Sequence, residues 1–202
     1  MENPEPYDGK DNPYRSQMSG FDFAEKSKIL GIQTRNQCAV FEFFNRKIAF
    51  DGSDFIDIAG HTVTSAVKTV LCTYVLMCPE KVPEHSNRRV TFREFANAGP
   101  LFSSFTANTG KIIETTFSGR LEKLKNRSLK LGGTFIQTDG YDLSIRFQAL
   151  PRIPIILNFN DADDGLPASA GFLYHDDAEV FLDLKSLGII CTYLTGFLIQ
   201  GV

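Results

Sequence analysis

The sequence predicts an α+β fold: a mainly antiparallel sheet, made of an N-terminal strand pair and a C-terminal meander, packed with three to four helices. Three observations carry this. Strand-like segments gather at 38–58 and 134–174 while helix-like segments lie between and after them, a segregation that opposes the regular alternation of a doubly wound parallel sheet. Asp139-Gly140 separates two alternating runs, the strongest hairpin signal in the chain because an Asp-Gly pair accepts the positive φ angles of a type I′ turn. Residues 150–187 join two Pro-punctuated strands, an acidic turn, a second acidic cluster and the entry to a long apolar helix.

In chain order, residues 1–18 are rich in Pro, Asn, Asp and Gly and show no periodicity, so they form a flexible arm, or one docking through Tyr7 and Tyr14, ahead of a single domain over 19–202. Residues 21–30 read as a short amphipathic helix that Gly31 ends. Residues 38–44 and 47–50 read as two strands around an Asn45-Arg46 turn, and 55–58 as a third strand. Thr64 or Ser65 caps a helix over Val67 to Cys78, which Pro79 stops.

Val90 to Phe95 is either a short strand or the run-in to a helix. Apolar residues from Leu101 to Phe117 recur at helical spacing with Gly110 as a weak point, and 120–131 forms a charged-faced helix that Gly132-Gly133 stops. Leu143, Ile145 and Phe147 alternate with Asp142, Ser144 and Arg146, as a strand with one buried face requires. Ile153 to Phe159 and Pro167 to Tyr174 continue the meander, and Asp183 stands where an N-cap opens the last helix.

The chain has 202 residues, 43% hydrophobic and 22% charged, with a formal net charge of −3, ordinary values for a globular protein with a sizeable core. Lys and Arg are scattered, which opposes nucleic-acid binding. No apolar leader opens the chain and no apolar run reaches the roughly 20 residues that span a bilayer, so the expectation is a cytoplasmic protein without membrane contact. Cys38, Cys72, Cys78 and Cys191 lack CxxC spacing. On one helix Cys72 and Cys78 point roughly 240° apart, so free buried thiols are expected rather than a metal site or disulfides.

The candidate ligand-binding residues are Arg93, Arg152, Asp161, Asp163, Asp164 and His175. Oxygen ligands clustered in a loop suit a divalent cation, and Asp161 and Asp163 are the metal ligands if there are any; yet the EF-hand spacing fails, since Phe172 stands where a Glu would close the loop. The plain reading is a turn stapled by Asx hydrogen bonds. His175-Asp176-Asp177 reads either as a metal or general-base site or as a helix cap, and His61 and His85 lack any zinc-hydrolase spacing. Arg93 and Arg152 sit in apolar surroundings and need an anion: a carboxylate of Asp161, Asp163 or Asp183, or a carboxylate or phosphate ligand. No nucleophile elbow, P-loop or dinucleotide fingerprint is present.

The motifs VTFREF followed by Gly99-Pro100-Leu101-Phe102, LxGG at 131–133, LPRIPI at 150–155, NDADDGLPASAGFLY at 160–174 and FLDLKSLG at 181–188 together resemble the bacterial and archaeal family of domain of unknown function 3786, over roughly residues 35–200. The resemblance implies a place near anaerobic redox, corrinoid or one-carbon metabolism, because some relatives carry a four-cysteine iron–sulphur domain. This chain lacks such a motif and has Leu173-Tyr174-His175 where the family has Leu-Phe-Asp. No cofactor of its own is expected, and a corrinoid or iron–sulphur protein partner follows from the resemblance alone. The expected function is therefore a non-catalytic binding or accessory module; the alternative is a small divalent-metal-dependent hydrolase or transferase using the acidic turn and His175. A homo-oligomer that uses the 18 phenylalanines at an interface is a third reading.

Overall fold

A computed structural model describes residue 18 and residues 20–35, 38–84 and 88–201. The expected arm apart from Met18, with Tyr7 and Tyr14, and also His85, lie outside the described residues. The fold is α+β with two antiparallel sheets. The first is a meander of β1 (Gln33–Arg35), β2 (Cys38–Phe43), β3 (Arg46–Phe50) and β4 (Phe55–Asp57). The second contains β5 (Arg89–Thr91), β6 (Thr134–Ile136), β7 (Leu143–Leu150), β8 (Ile153–Asn160) and β9 (Ser169–His175) in the order β5-β9-β8-β7-β6.

The helices are α1 (Phe23–Leu30), α2 (Ser65–Leu76), α3 (Gly99–Asn108), α4 (Gly110–Phe117), α5 (Leu121–Lys130), α6 (Ala178–Phe181) and α7 (Leu184–Gln200). The expected three to four helices become these seven among the described residues, chiefly because the run over 101–117 breaks at Thr109 (φ −131°, ψ −89°). Local signals place most ends. The side chains of Asp22, Thr64 and Asp183 accept N–H groups three residues on, which satisfies donors no helix can bond internally. Gly31 closes α1 at φ 71°, and a Cβ there would lie 2.8 Å from Pro151 Cβ. Only glycine meets both demands.

Register sorts the second sheet into two faces. Ile145, Leu157 and Phe172 align across β7, β8 and β9, as do Phe147, Ile155 and Tyr174, and this face is sealed under the helices. Ser144, Asn158 and Gly171 align on the opposite face. The central helix α7 buries Leu187, Ile190, Cys191, Leu194 and Leu198 and ties the sheets together. Its Cys191 Sγ lies 2.8 Å from the Tyr174 hydroxyl, while its Tyr193 hydroxyl accepts from Arg46 of the first sheet. The sheets also meet directly where Phe44 N–H donates to Ala149 O at 3.0 Å. One continuous apolar cluster contains residues of both sheets and of every long helix except α3. Among the described residues no helix is long and apolar enough to cross a membrane.

Two turns differ from expectation. Asp139-Gly140 sits in a longer loop, because Ile136 pairs with Ser144 and Asn160 captures the loop, donating to Gly140 O and accepting from Asp142 N–H. The tight turn with two positive φ values lies instead at Asp164 (25°) and Gly165 (90°), closed by reciprocal bonds between Asp163 and Leu166. The first hairpin turns at Phe44-Asn45 rather than Asn45-Arg46, with Phe44 at φ 53°.

Candidate functional site

β5 pairs with β9 only over Leu173–His175, so the first half of β9 would present an open sheet edge, a hazard proteins cover. Helix α4 covers it. Glu114 Oε1 accepts the Ala170 N–H at 3.1 Å, and Gly110 lets the helix approach so closely that a Cβ would lie 2.9 Å from Ala170 O. Where β5 stops and α4 takes over, a cavity of about 260 Å³ remains, lined by Arg93, Phe102, Phe105, Tyr141, Asn158 and Gly171 among others.

Of these, Arg93, Asn158 and Tyr141 carry polar groups that can meet a ligand. Arg93 rides on the 3-10 turn Phe92–Glu94. That turn is set by Glu94, whose Oε2 accepts both the N–H and the hydroxyl of Thr91; the Thr91 backbone bond, first among the causes, holds the Glu94 carboxyl below the usual range. With Glu94 engaged by Thr91 and Arg88, the Arg93 guanidinium lies over the Phe102 ring, 5.6 Å from its centroid, and makes no ion pair among the described residues. A cation on an aromatic face keeps its N–H groups for a second partner in the ring plane.

Asn158 is 2% exposed. Its Oδ1 accepts the Ser144 hydroxyl at 2.7 Å, and its Nδ2 has no acceptor among the described residues. The walls are aromatic. Phe105 stacks on Phe92 with centroids 4.0 Å apart and planes 5° apart, and meets Phe172 edge-on. Helix α3, which supplies Phe102 and Phe105, has no fully buried side chain; these ring contacts hold it.

The other expected site residues lie elsewhere. Arg152 finds neither a carboxylate nor this cavity. Its Nε donates to Ile29 O and its NH2 to Lys28 O, so it caps the C-terminus of α1, where carbonyls and the helix dipole favour a cation. Asp161 and Asp163 line a different, open cavity of about 620 Å³ with Asp142. There Asp161 Oδ1 accepts the Gly119 and Ala162 N–H groups, and Asp142 Oδ2 accepts the Asp161 N–H, so these carboxylates staple loops. Asp164 is a turn residue. His175 pairs in register with Arg89 on β9 and is half-buried, and Asp177 takes the N-cap position of α6 without a side-chain cap bond. Among the described residues no three or more His, Cys, Asp or Glu side chains are grouped to hold a metal ion.

Sequence reasoning singled out Arg93 but not Asn158. The signal for Asn158 was a carboxamide set between Leu157 and Phe159 inside a mostly apolar strand. Also unforeseen is the Arg46–Asp57 pair, Nε to Oδ2 at 2.6 Å with the Asp57 side chain 1% exposed. Burial pushes the Asp57 carboxyl up, but the Arg46 hydrogen bond, the Ala59 N–H and the Arg46 charge together bring it below the usual range. It forms one wall of a cavity of about 520 Å³ beside His61, and its guanidinium is already committed to Asp57, Tyr193 and Thr62 O.

A family model described as Domain of unknown function (DUF3786) matches residues 22–196 of the chain. No curated protein and no solved structure matches it.

Proposed function

The chain belongs to the family described as Domain of unknown function (DUF3786), and on that premise we propose that it is a non-catalytic binding module which takes a small organic anion in the cavity between α3 and β9. The observation that carries this is Arg93: an exposed cation, not one sunk in apolar surroundings, on the lining of a mostly apolar cavity, supported by the Phe102 face and without an ion pair among the described residues. Mostly apolar walls with a few convergent polar groups are the usual make-up of a small-molecule site. The described lining has hydroxyls from Thr91, Thr106, Thr109 and Tyr141 but no His, Cys, Asp, Glu or Lys side chain to activate them, which favours the binding reading.

The setting in anaerobic redox, corrinoid or one-carbon metabolism, with an iron–sulphur or corrinoid protein as partner, belongs to this reading through the resemblance of the motifs alone. The metal-dependent hydrolase or transferase at the acidic turn has one supporting observation, the shared cavity of Asp161 and Asp163; the backbone bonds already made by Asp161 weigh against it. Calorimetric titration with benzoate and with neutral benzamide tests the binding reading. Benzoate binds, benzamide does not, and Arg93→Leu weakens benzoate about tenfold, or roughly 1.4 kcal/mol. Equal binding of the two compounds, or an Arg93→Leu protein with native affinity, overturns it.

A further inference from the structure

We infer that this cavity selects a flat aromatic monocarboxylate bearing a hydrogen-bond acceptor at the end remote from the carboxylate, with Arg93 meeting the anion, the phenylalanine walls the ring and the Asn158 carboxamide N–H the distal acceptor; this rests on the anion-binding reading above.

The argument for the distal acceptor starts from the cost of Asn158. It sits in β8 among Ile155, Ile156, Leu157 and Phe159, and Ile156, on the same face, is 3% exposed, so an aliphatic residue fits this surface. A carboxamide there loses water and must regain hydrogen bonds. It regains only one, from Ser144 to Oδ1 at 2.7 Å. The opposite orientation of the amide would leave the Ser144 hydroxyl hydrogen without an acceptor, and Ser144 is itself 3% exposed. With Oδ1 on Ser144, the N–H₂ group has no protein acceptor among the described residues, and Asn158 lines the cavity. Across the strand pair stands Gly171, where even an added Cβ would meet nothing within 4 Å. The space beside the carboxamide is open.

Charge and shape fix the rest of the ligand. Arg93 is the one charged residue of the lining, which matches a carboxylate monoanion better than a phosphate dianion, and a guanidinium fork pairs with a carboxylate in two parallel bonds. Phe102 and Phe105 are the partly exposed rings of the lining, beside the buried Phe92 and Phe172, and such surfaces favour a flat aromatic body over a puckered aliphatic one. A cavity of about 260 Å³ holds the volume of roughly nine waters, which suits an acid of about a dozen non-hydrogen atoms.

The test is calorimetric titration of the full chain with 4-methoxybenzoate, benzoate and cyclohexanecarboxylate. 4-Methoxybenzoate binds about fivefold tighter than benzoate and cyclohexanecarboxylate about fivefold weaker, the worth of one net hydrogen bond and one aromatic contact. Asn158→Leu abolishes the methoxy preference, and Ser144→Ala, which frees the carboxamide to turn, reduces the preference and decides the matter if the leucine variant does not fold. Equal affinities for benzoate and 4-methoxybenzoate, or a preference untouched in the variants, overturn this inference while the Arg93 dependence of benzoate binding still stands. A native protein that binds none of the three acids overturns both readings.

Discussion

The Tyr74 hydroxyl accepts the backbone N–H of Arg152 at 3.2 Å and donates to Leu30 O at 2.6 Å. One buried oxygen thereby joins α2, the end of α1 and the turn between β7 and β8, and the Arg152 guanidinium closes the same junction by capping α1. The phenol is 0% exposed, and burial pushes its pKa well above the ordinary value, so it remains a neutral donor across the physiological range. Tyr74→Phe leaves the Leu30 carbonyl and the Arg152 amide with one partner fewer. Urea unfolding at pH 7 shows a loss of about 1–3 kcal/mol with an unchanged denaturant slope.

Gly110→Ala separates helix propensity from close packing. In an open helix the change gains about 1 kcal/mol. Here the new methyl meets the Ala170 carbonyl at 2.9 Å, and overpacking costs about 1–3 kcal/mol. The variant is destabilised in thermal unfolding, and because Gly110 also lines the cavity, benzoate binding weakens with it.

Asp57 makes stability depend on acid. Its carboxyl is held below the ordinary value of 3.8 in the fold, so its ionised form stabilises the protein above that pH, and the contribution disappears as pH falls through the folded value. Asp57→Asn leaves the half-buried Arg46 without its counter-charge and costs about 3 kcal/mol at pH 7. Unfolding curves of the two proteins converge as the pH is lowered below 3.8.

The carboxylate of Asp161 is a loop staple. Asp161→Ala frees the Gly119 and Ala162 N–H groups and costs about 1–2 kcal/mol, whereas Arg93→Leu, which removes an exposed contact with the Phe102 ring and no ion pair among the described residues, costs less than about 1 kcal/mol. Dialysis against a chelator leaves the native melting temperature where it was; a drop reversed by a divalent cation would restore the metal reading of the acidic turn.

Cys72 and Cys191 are buried and desolvation pushes both thiols up to about 12. Cys38 and Cys78 are half-buried. Iodoacetamide at pH 8, followed by peptide mass spectrometry, modifies Cys38 and Cys78 first, because the reactive species is the thiolate.

What the sequence by itself determined are the features that physics confines to a few neighbouring residues. Thr64 and Asp183 cap helices by reaching three positions along the chain, and alternation in 143–147 marks a strand, although Ser144 on its other face is buried as well. The family motifs and the antiparallel meander belong to the same class, whereas Asp161 is tied to Gly119, 42 positions away, by tertiary contact. Tertiary structure alone decided the partners. Arg152 bonds carbonyls of Lys28 and Ile29, Gly110 is required by Ala170, and Arg93 and Asn158 share a cavity because β5 is too short to cover β9 and α3 bridges the gap. Charge and size along the chain announce that a buried arginine or asparagine must be satisfied, but register and helix docking, which sum many weak contacts between distant segments, choose what satisfies it.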